Sequence, residues 1–283
     1  MISDEKLLKL NKRGLIPGPY ESNEQYYQRI DFCEKFFNDP GLFFKKNDDL
    51  SNRIGQKNMD WVYAKLIKTF DIAPDYFVGF YSDKDLYFFQ GACTWIYEHK
   101  NKFSIGILQL RKKLEKKKYF FYDHDEILTH ELAHLARMGF DEKNEEIFAY
   151  ILSSSKLRAA LGPIIEDEKE VLVFFSFVLI SMVSLFLSLD IVYLLSSICT
   201  VGYLSLGLFR LIRKKVTIRR AAKNLGKVLK VKKSVRATLF RMSDSEIKLF
   251  SKLKPEKIIE YVNEKKEKSL RWKMIDLAYF KRG

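Results

Sequence analysis

The feature that most constrains this chain is one long apolar run at residues 171–212, in which Asp190 and Arg210 carry the only charges. As a single helix these 42 residues would extend about 63 Å, roughly twice the thickness of a bilayer's hydrocarbon core. One membrane span therefore cannot hold the run, whereas two spans at about 171–189 and 191–212 match it. The sequence predicts a two-span transmembrane helical hairpin.

The net charge of +14 comes entirely from the end of the chain. Residues 210–283 hold 24 Lys and Arg against seven Asp and Glu, whereas residues 1–209 have a net charge of −3. Basic residues beside a span stay on the cytoplasmic side, and a hairpin returns the chain to the side it left. We therefore expect an integral membrane protein with cytoplasmic N-terminal and C-terminal regions. The alternatives are a single span that separates the two ends, and a hairpin buried in a soluble core.

The basic segment could attract either anionic lipid or nucleic acid. Apolar residues recur at helical spacing from Ile218 to Leu229, with basic residues largely between them. This pattern is typical of an amphipathic helix that lies on anionic headgroups. Because the segment adjoins the predicted spans, we expect its basic face to meet anionic lipid, and we do not expect nucleic acid as the partner.

Composition excludes several other classes of protein. With 47% apolar residues and only 13 Gly and six Pro, the chain is neither disordered nor collagen-like. Its three cysteines, Cys33, Cys93 and Cys199, have no paired spacing, which excludes a disulfide framework and a cysteine zinc knuckle. Unpaired cysteines fit a reducing compartment.

Residues 130–134 read His-Glu-Leu-Ala-His, an HExxH motif. On a helix, His130 and His134 lie one turn apart on the same face, so both imidazoles can reach one zinc ion. Glu131 can then point toward a water activated by the metal without binding the metal itself. The flanking sequence predicts the required helix, because Asp125 can cap its start and apolar residues follow at helical spacing.

A catalytic zinc site also needs a third protein ligand. The run that follows the motif predicts a second helix, which carries two candidate carboxylates, Glu145 and Glu146. Either one can reach the metal if the two helices pack side by side. The alternative is that the motif is inert and that both are ordinary surface carboxylates.

At about residues 122–155 the chain resembles the gluzincins, zincin-fold metallopeptidases that combine HExxH with a glutamate on a following helix. The segment from Glu146 to Ala149 is similar to the Glu-x-x-Ala form found in several membrane-associated members of that class. The resemblance implies a zinc site with three protein ligands: His130, His134 and Glu146, with Glu145 as the alternative to Glu146. It also implies that Glu131 is the general base.

Four short β-rich runs precede the motif, at 76–81, 86–90, 92–97 and 103–108. They predict a small sheet beside the motif helix, with an edge that could pair with an extended peptide. The expected fold class is therefore an α+β zincin-like catalytic domain, joined to a transmembrane helical hairpin and a small α-helical C-terminal module.

We divide the chain into four predicted regions: an N-terminal helical region at 1–73, a zincin-like catalytic region at 74–165, the transmembrane hairpin at 171–212 and a basic helical cytoplasmic module at 213–283. The predicted function is that of a membrane-anchored zinc metallopeptidase acting on a protein or peptide substrate. The alternative is a non-catalytic, membrane-bound interaction or scaffold protein whose basic tail binds lipid or nucleic acid.

Overall fold

The protein is mostly helical and has a small sheet. The computed structural model describes residues 2–39, 52–55, 59–87, 90–99, 103–119, 122–140, 142–166 and 168–281. Before the sheet, the described residues form helices α1 Asp4–Lys12, α2 Asn23–Asn38 and α3 Asp60–Phe70. Helix α2 begins at a capping box in which Ser22 and Gln25 each satisfy the other's backbone N–H.

The sheet contains three strands: β1 Val78–Tyr81, β2 Ala92–His99 and β3 Phe103–Leu110. Their order is β1-β3-β2, with β3 parallel to β1 and antiparallel to β2. Strand β2 is therefore at an edge of the sheet, on the side that contacts the motif helix. A two-stranded ribbon, β4 Lys118–Tyr119 and β5 Tyr122–Asp123, leads into that helix.

The strand predicted at 86–90 is wrong at its described positions, which form no strand; residues 88–89 lie outside the described part. In and around this segment, backbone carbonyls accept hydrogen bonds from side chains instead of from a neighbouring strand. The amide of Gln109 donates to the carbonyls of Ser82 and Lys84, and the guanidinium of Arg111 donates to those of Tyr87 and Gln90. Because these carbonyls are already paired, the segment needs no neighbouring strand.

The motif lies on α4 His124–Arg137, which is followed by α5 Glu145–Ile151 and α6 Lys156–Leu161. The side chain of Asp123 accepts a hydrogen bond from the backbone N–H of Asp125 at 3.1 Å and caps the helix. The cap is thus two residues before the predicted one. Helices α4 and α5 pack against each other, as a shared metal site requires.

Two long apolar helices follow, α7 Glu168–Phe186 and α8 Asp190–Val228. The turn between them contains Ser188 in a left-handed conformation (φ 56°). Both helices are long and apolar enough to cross a membrane. Only 6% and 11% of their most apolar windows are buried within the protein, whereas core helices of a soluble protein are mostly buried.

Helix α8 continues without interruption beyond its apolar part, so the predicted boundary at residue 213 falls inside it. The apolar side chains of its basic half, including Ile218, Ala221 and Leu225, are buried where α8 meets the C-terminal helices. The apolar side of this half therefore faces protein, and the expectation that its basic face meets anionic lipid stays a prediction. Protein covers the apolar side chains because the C-terminal helices fold back onto α8.

The C-terminal region completes the fold with α9 Lys232–Phe240, α10 Asp244–Phe250, α11 Pro255–Lys268 and α12 Leu270–Ile275, which continues as a π-helix over Asp276–Phe280. They share one core with the residues before the apolar helices. Phe240 stacks on Phe70, with ring centroids 4.3 Å apart, and the buried Arg241 donates to Oδ1 of Asn11 at 2.6 Å. The two ends of the chain therefore form a common body.

Candidate metal centre

The two histidines of the motif face each other across one turn of α4. Nε2 of His130 lies 3.1 Å from Nε2 of His134. Glu146, in the first turn of α5, presents one oxygen to each ring, with Oε1 3.3 Å from Nε2 of His134 and Oε2 3.6 Å from Nε2 of His130. These three side chains are brought together closely enough to hold one metal ion.

The three separations fit a zinc site. A tetrahedral zinc ion with ligands at 2.0–2.1 Å has about 3.3–3.4 Å between neighbouring ligand atoms. The observed separations of 3.1, 3.3 and 3.6 Å lie close to that spacing, although the last two end on different oxygens of Glu146. Two imidazoles and one carboxylate are also a donor set that catalytic zinc sites use. In donor chemistry and in approximate spacing, the residues present therefore fit zinc.

The other candidate ligand, Glu145, lies on the far side of His134. Its Oε1 is 2.7 Å from Nδ1 of that ring, the nitrogen that does not face His130. A carboxylate that accepts a hydrogen bond from a metal-binding histidine fixes the ring's tautomer and orientation. The structure thus separates the two glutamates, with Glu146 beside the Nε2 atoms and Glu145 behind one of the imidazoles.

Glu131 points to the strand side of α4. The hydroxyl of Thr94 on β2 donates to Oε2 of Glu131 at 2.6 Å, and the Glu131 side chain is buried. Burial raises the pKa of this carboxyl above its ordinary value. The sequence gives no sign of the Thr94 contact, because it joins residues far apart in the chain through the packing of β2 on α4.

The surroundings of the two histidines shift their pKa values in opposite directions. Burial, together with the charge of His134, lowers the pKa of His130 to about 4. Burial alone would also lower the pKa of His134, but hydrogen bonds to Glu145 and Glu146 outweigh it and raise the pKa well above its usual value. Burial opposes ionisation of Glu146, but the hydrogen bond and charge of His134 hold its pKa at about 2.

The carboxylate of Glu126 links the motif helix to the residues that follow α5. Glu126 precedes His130 by one turn and accepts hydrogen bonds from the hydroxyls of Ser153 and Ser154, both at 2.5 Å. Arg158 adds an ion pair with Glu126 at 2.9 Å. These contacts join α4 to the start of α6. Sequence reasoning missed the role of Glu126, for which the only signal was its position four residues before a histidine of the motif.

The aromatic ring of Tyr150 packs edge-on against His130, with centroids 4.9 Å apart. Gly162 lies directly against this ring, because a Cβ at that position would come within 2.1 Å of the Tyr150 side chain. Only a residue without a side chain fits there. Gly162 and His130 together fix the position of Tyr150 in the wall of the site.

The candidate ligands lie in an open cleft of about 1290 Å³. Strand β2 forms one wall through residues that include Thr94, Ile96 and Glu98. Helices α4 and α5 form the base, and the cleft continues to the ends of the apolar helices at Val171 and Arg210. The site is therefore open to a ligand much larger than a water molecule.

No protein-family model, curated protein or solved structure matches this chain.

Proposed function

We propose that this protein is a membrane-anchored, zinc-dependent metallopeptidase of the gluzincin type. The observation that carries the proposal is the convergence of three donor groups. The Nε2 atoms of His130 and His134 lie 3.1 Å apart, and the carboxylate of Glu146 lies within 3.3 and 3.6 Å of them. An HExxH helix that packs against a glutamate helix is the arrangement that the gluzincin resemblance implies.

His130, His134 and Glu146 would hold the zinc ion. When bound, zinc polarises a scissile carbonyl and lowers the pKa of water toward neutrality. Glu145 would hold the His134 ring through Nδ1, which keeps Nε2 directed at the metal. The third carboxylate, Glu131, contributes no ligand and is free for acid–base chemistry.

Glu131 would act as the general base. The hydroxyl of Thr94 engages Oε2 of Glu131, and the carboxylate would take a proton from the attacking water. It would then deliver that proton to the leaving amine. Thr94 therefore acts as a positioning residue, because its hydrogen bond holds the carboxylate in one orientation.

The position of β2 at the edge of the sheet is an argument for a peptide as the substrate. Thr94, Ile96 and Glu98 alternate along it and line the cleft, and the side chain of Ile96 is 62% exposed. An extended peptide can add to such an edge through main-chain hydrogen bonds. This would bring its backbone past the groups that contact Glu131.

The proposed anchor is the pair of apolar helices, α7 and α8, as two membrane spans. Contacts between the flanking regions support this topology. Arg137 of α4 is completely buried and donates to the carbonyls of Phe240 and Met242, which follow the second span. Regions that pack together in this way lie on one side of a membrane, so the chain between them crosses it an even number of times. The basic residues after α8 favour the cytoplasmic side.

The decisive experiment uses the full-length protein, purified in detergent, with and without the substitution Glu131→Gln. We expect one zinc per chain in both proteins and a loss of peptide hydrolysis of about 10²- to 10⁴-fold in the variant. The matched control is Glu256→Gln, the same change at an exposed glutamate of α11 outside the cleft, which should retain activity.

Full activity of the Glu131→Gln protein with zinc bound would overturn the assignment of the general base. Absence of both zinc and hydrolysis from the wild-type protein would favour the alternative of a membrane-bound scaffold. Zinc that is lost in His130→Ala and in His134→Ala, but kept in Glu256→Gln, would place the metal at the proposed site.

A further inference from the structure

We propose that the substrate is a membrane-anchored polypeptide, cut in the segment next to its own membrane span. This inference rests on the proposed peptidase function and names the substrate class of the same site. It follows from the position of the cleft relative to the apolar helices, and it does not depend on which side chains flank the scissile bond.

One continuous cleft joins the candidate metal centre to the apolar helices. The surface lined by His130, His134 and Glu146 is also lined by Val171 of α7 and Arg210 of α8. Val171 begins the apolar run, and Arg210 is the charged residue near its end. A chain that leaves the membrane beside these helices therefore enters the cleft directly.

An ion pair marks the level at which the apolar part of the hairpin ends. The guanidinium of Arg210 makes two hydrogen bonds of 2.7 Å to the carboxylate of Glu170 on the neighbouring helix. Charged pairs of this kind are costly in a bilayer core and lie at its boundary. The headgroup region is therefore expected at the height of this pair.

The helix that carries the candidate ligand Glu146 is connected to α8 close to the Arg210–Glu170 ion pair. Lys214 follows Arg210 by four residues on α8, which is about 6 Å along a helix axis. Its ammonium group donates to the carbonyl of Lys143 at 3.0 Å and to Glu166 at 2.6 Å. Lys143 precedes Glu145 by two residues, so the start of the glutamate helix is tied to the membrane end of α8.

The site is held at this height by direct packing. Gly207 of α8 contacts Ile164, because a Cβ at residue 207 would come within 2.8 Å of the Ile164 carbonyl oxygen. Lys215 also donates to the carbonyls of Ala159 and Ala160, at the end of α6. These contacts pack the described residues of the catalytic region directly against the second proposed span.

The cleft suits an unfolded segment beside a span better than the span itself. Its walls carry many ionisable side chains, among them Glu98, Glu142, Arg158 and Lys214, and an apolar helix lying against these groups would remove them from water without offering them polar contacts. A spanning helix also satisfies its own backbone groups, whereas pairing with the β2 edge needs an extended chain.

The test uses the full-length protein in vesicles of phosphatidylcholine and phosphatidylglycerol. The probe is a single-span anchor followed by about 40 residues of randomised flexible sequence and a tag, and its partner is the same sequence without the anchor. Mass spectrometry maps every cut. We expect cuts to concentrate in about the first ten residues after the anchor, since an extended chain covers about 3.3 Å per residue. The anchor-free probe should be cut at least about tenfold more slowly.

Cuts spread evenly along the anchored probe, or equal cleavage of both probes, would overturn the inference and leave the peptidase function intact. A second measurement does not depend on hydrolysis. A photo-reactive amino acid at the exposed position Ile96 in the Glu131→Gln protein should cross-link to the residues next to the anchor. Cross-linking without cleavage by the wild-type protein supports the substrate class and counts against hydrolysis, whereas the absence of both overturns the inference.

Discussion

The Nδ1 atom of His134 lies 2.7 Å from Oε1 of Glu145, on the side of the imidazole that faces away from His130. The neighbouring Glu146 is placed on the opposite, Nε2 side of the same ring, at 3.3 Å. Two adjacent carboxylates thus contact the two nitrogens of one histidine. Their substitution should have different consequences.

Glu145→Gln should weaken zinc binding by about 10- to 100-fold while leaving one site per chain, because a supporting hydrogen bond is altered and no ligand is lost. Glu146→Gln should weaken it further, since it replaces a ligand. Competition with a chromogenic chelator measures both affinities. Glu142→Gln, a nearby cleft carboxylate, serves as the control. A larger effect at Glu145 than at Glu146 would reverse the two roles.

Thr94→Val should lower kcat by about tenfold, the effect of one lost hydrogen bond of roughly 1–2 kcal/mol to a buried carboxylate. Zinc content should not change, because Thr94 contacts Glu131 and none of the proposed ligands. Thr94→Ser keeps the hydroxyl and should restore most of the rate. Equal activity of the Val and Ser proteins would show that the hydrogen bond has no role in positioning Glu131.

Arg137→Met should destabilise the protein by about 1–3 kcal/mol, since it leaves buried carbonyls without a donor. Arg137 is surrounded by the rings of Phe140, Phe148 and Phe240 and donates to carbonyls of the C-terminal region. The thermal unfolding midpoint in detergent measures the loss of stability. The control is Arg219→Met, which makes the same change at an exposed position of α8. An unchanged midpoint would mean that the two regions do not depend on this contact.

Acid should destabilise the C-terminal helices through Glu246. Burial alone would raise the pKa of this carboxyl, but hydrogen bonds and charge from Arg271, with help from Ser243 and Trp272, hold its pKa below the ordinary value of 4.5. The folded state therefore prefers the ionised form, and this stability is complete above pH 4.5 and lost as the pH falls toward the lower, folded-state pKa. In Glu246→Gln the midpoint should be lower at neutral pH and should change less below pH 4.5. Equal slopes in both proteins would exclude Glu246 as the titrating group.

Labelling of single cysteines tests the two-span topology. All three native cysteines are first replaced by alanine. Single cysteines are then introduced at two exposed positions, with Tyr20→Cys before the hairpin in the sequence and Lys257→Cys after it. An impermeant maleimide added to intact cells should modify Asp190→Cys alone, and permeabilisation should expose the other two. Opposite behaviour of Tyr20→Cys and Lys257→Cys would require an odd number of spans.

The sequence by itself determined the local elements. The HExxH spacing predicts that His130 and His134 share a helix face, and their Nε2 atoms do meet at 3.1 Å. The long apolar run predicts two helices with a turn near Ser188, as observed. These predictions succeed because helical periodicity and apolar length are properties of neighbouring residues.

Only the tertiary structure decided what those elements contact. It placed Glu146 beside Nε2 and Glu145 beside Nδ1, set Thr94 against Glu131, and covered the apolar side chains of the basic half of α8 with protein. Glu145 and Glu146 are adjacent and have nearly the same neighbours in sequence, so the sequence does not distinguish their roles. Nothing in the sequence around Thr94 indicates which side chain its hydroxyl contacts. Such contacts depend on how helices and strands distant in sequence pack, which no local spacing encodes.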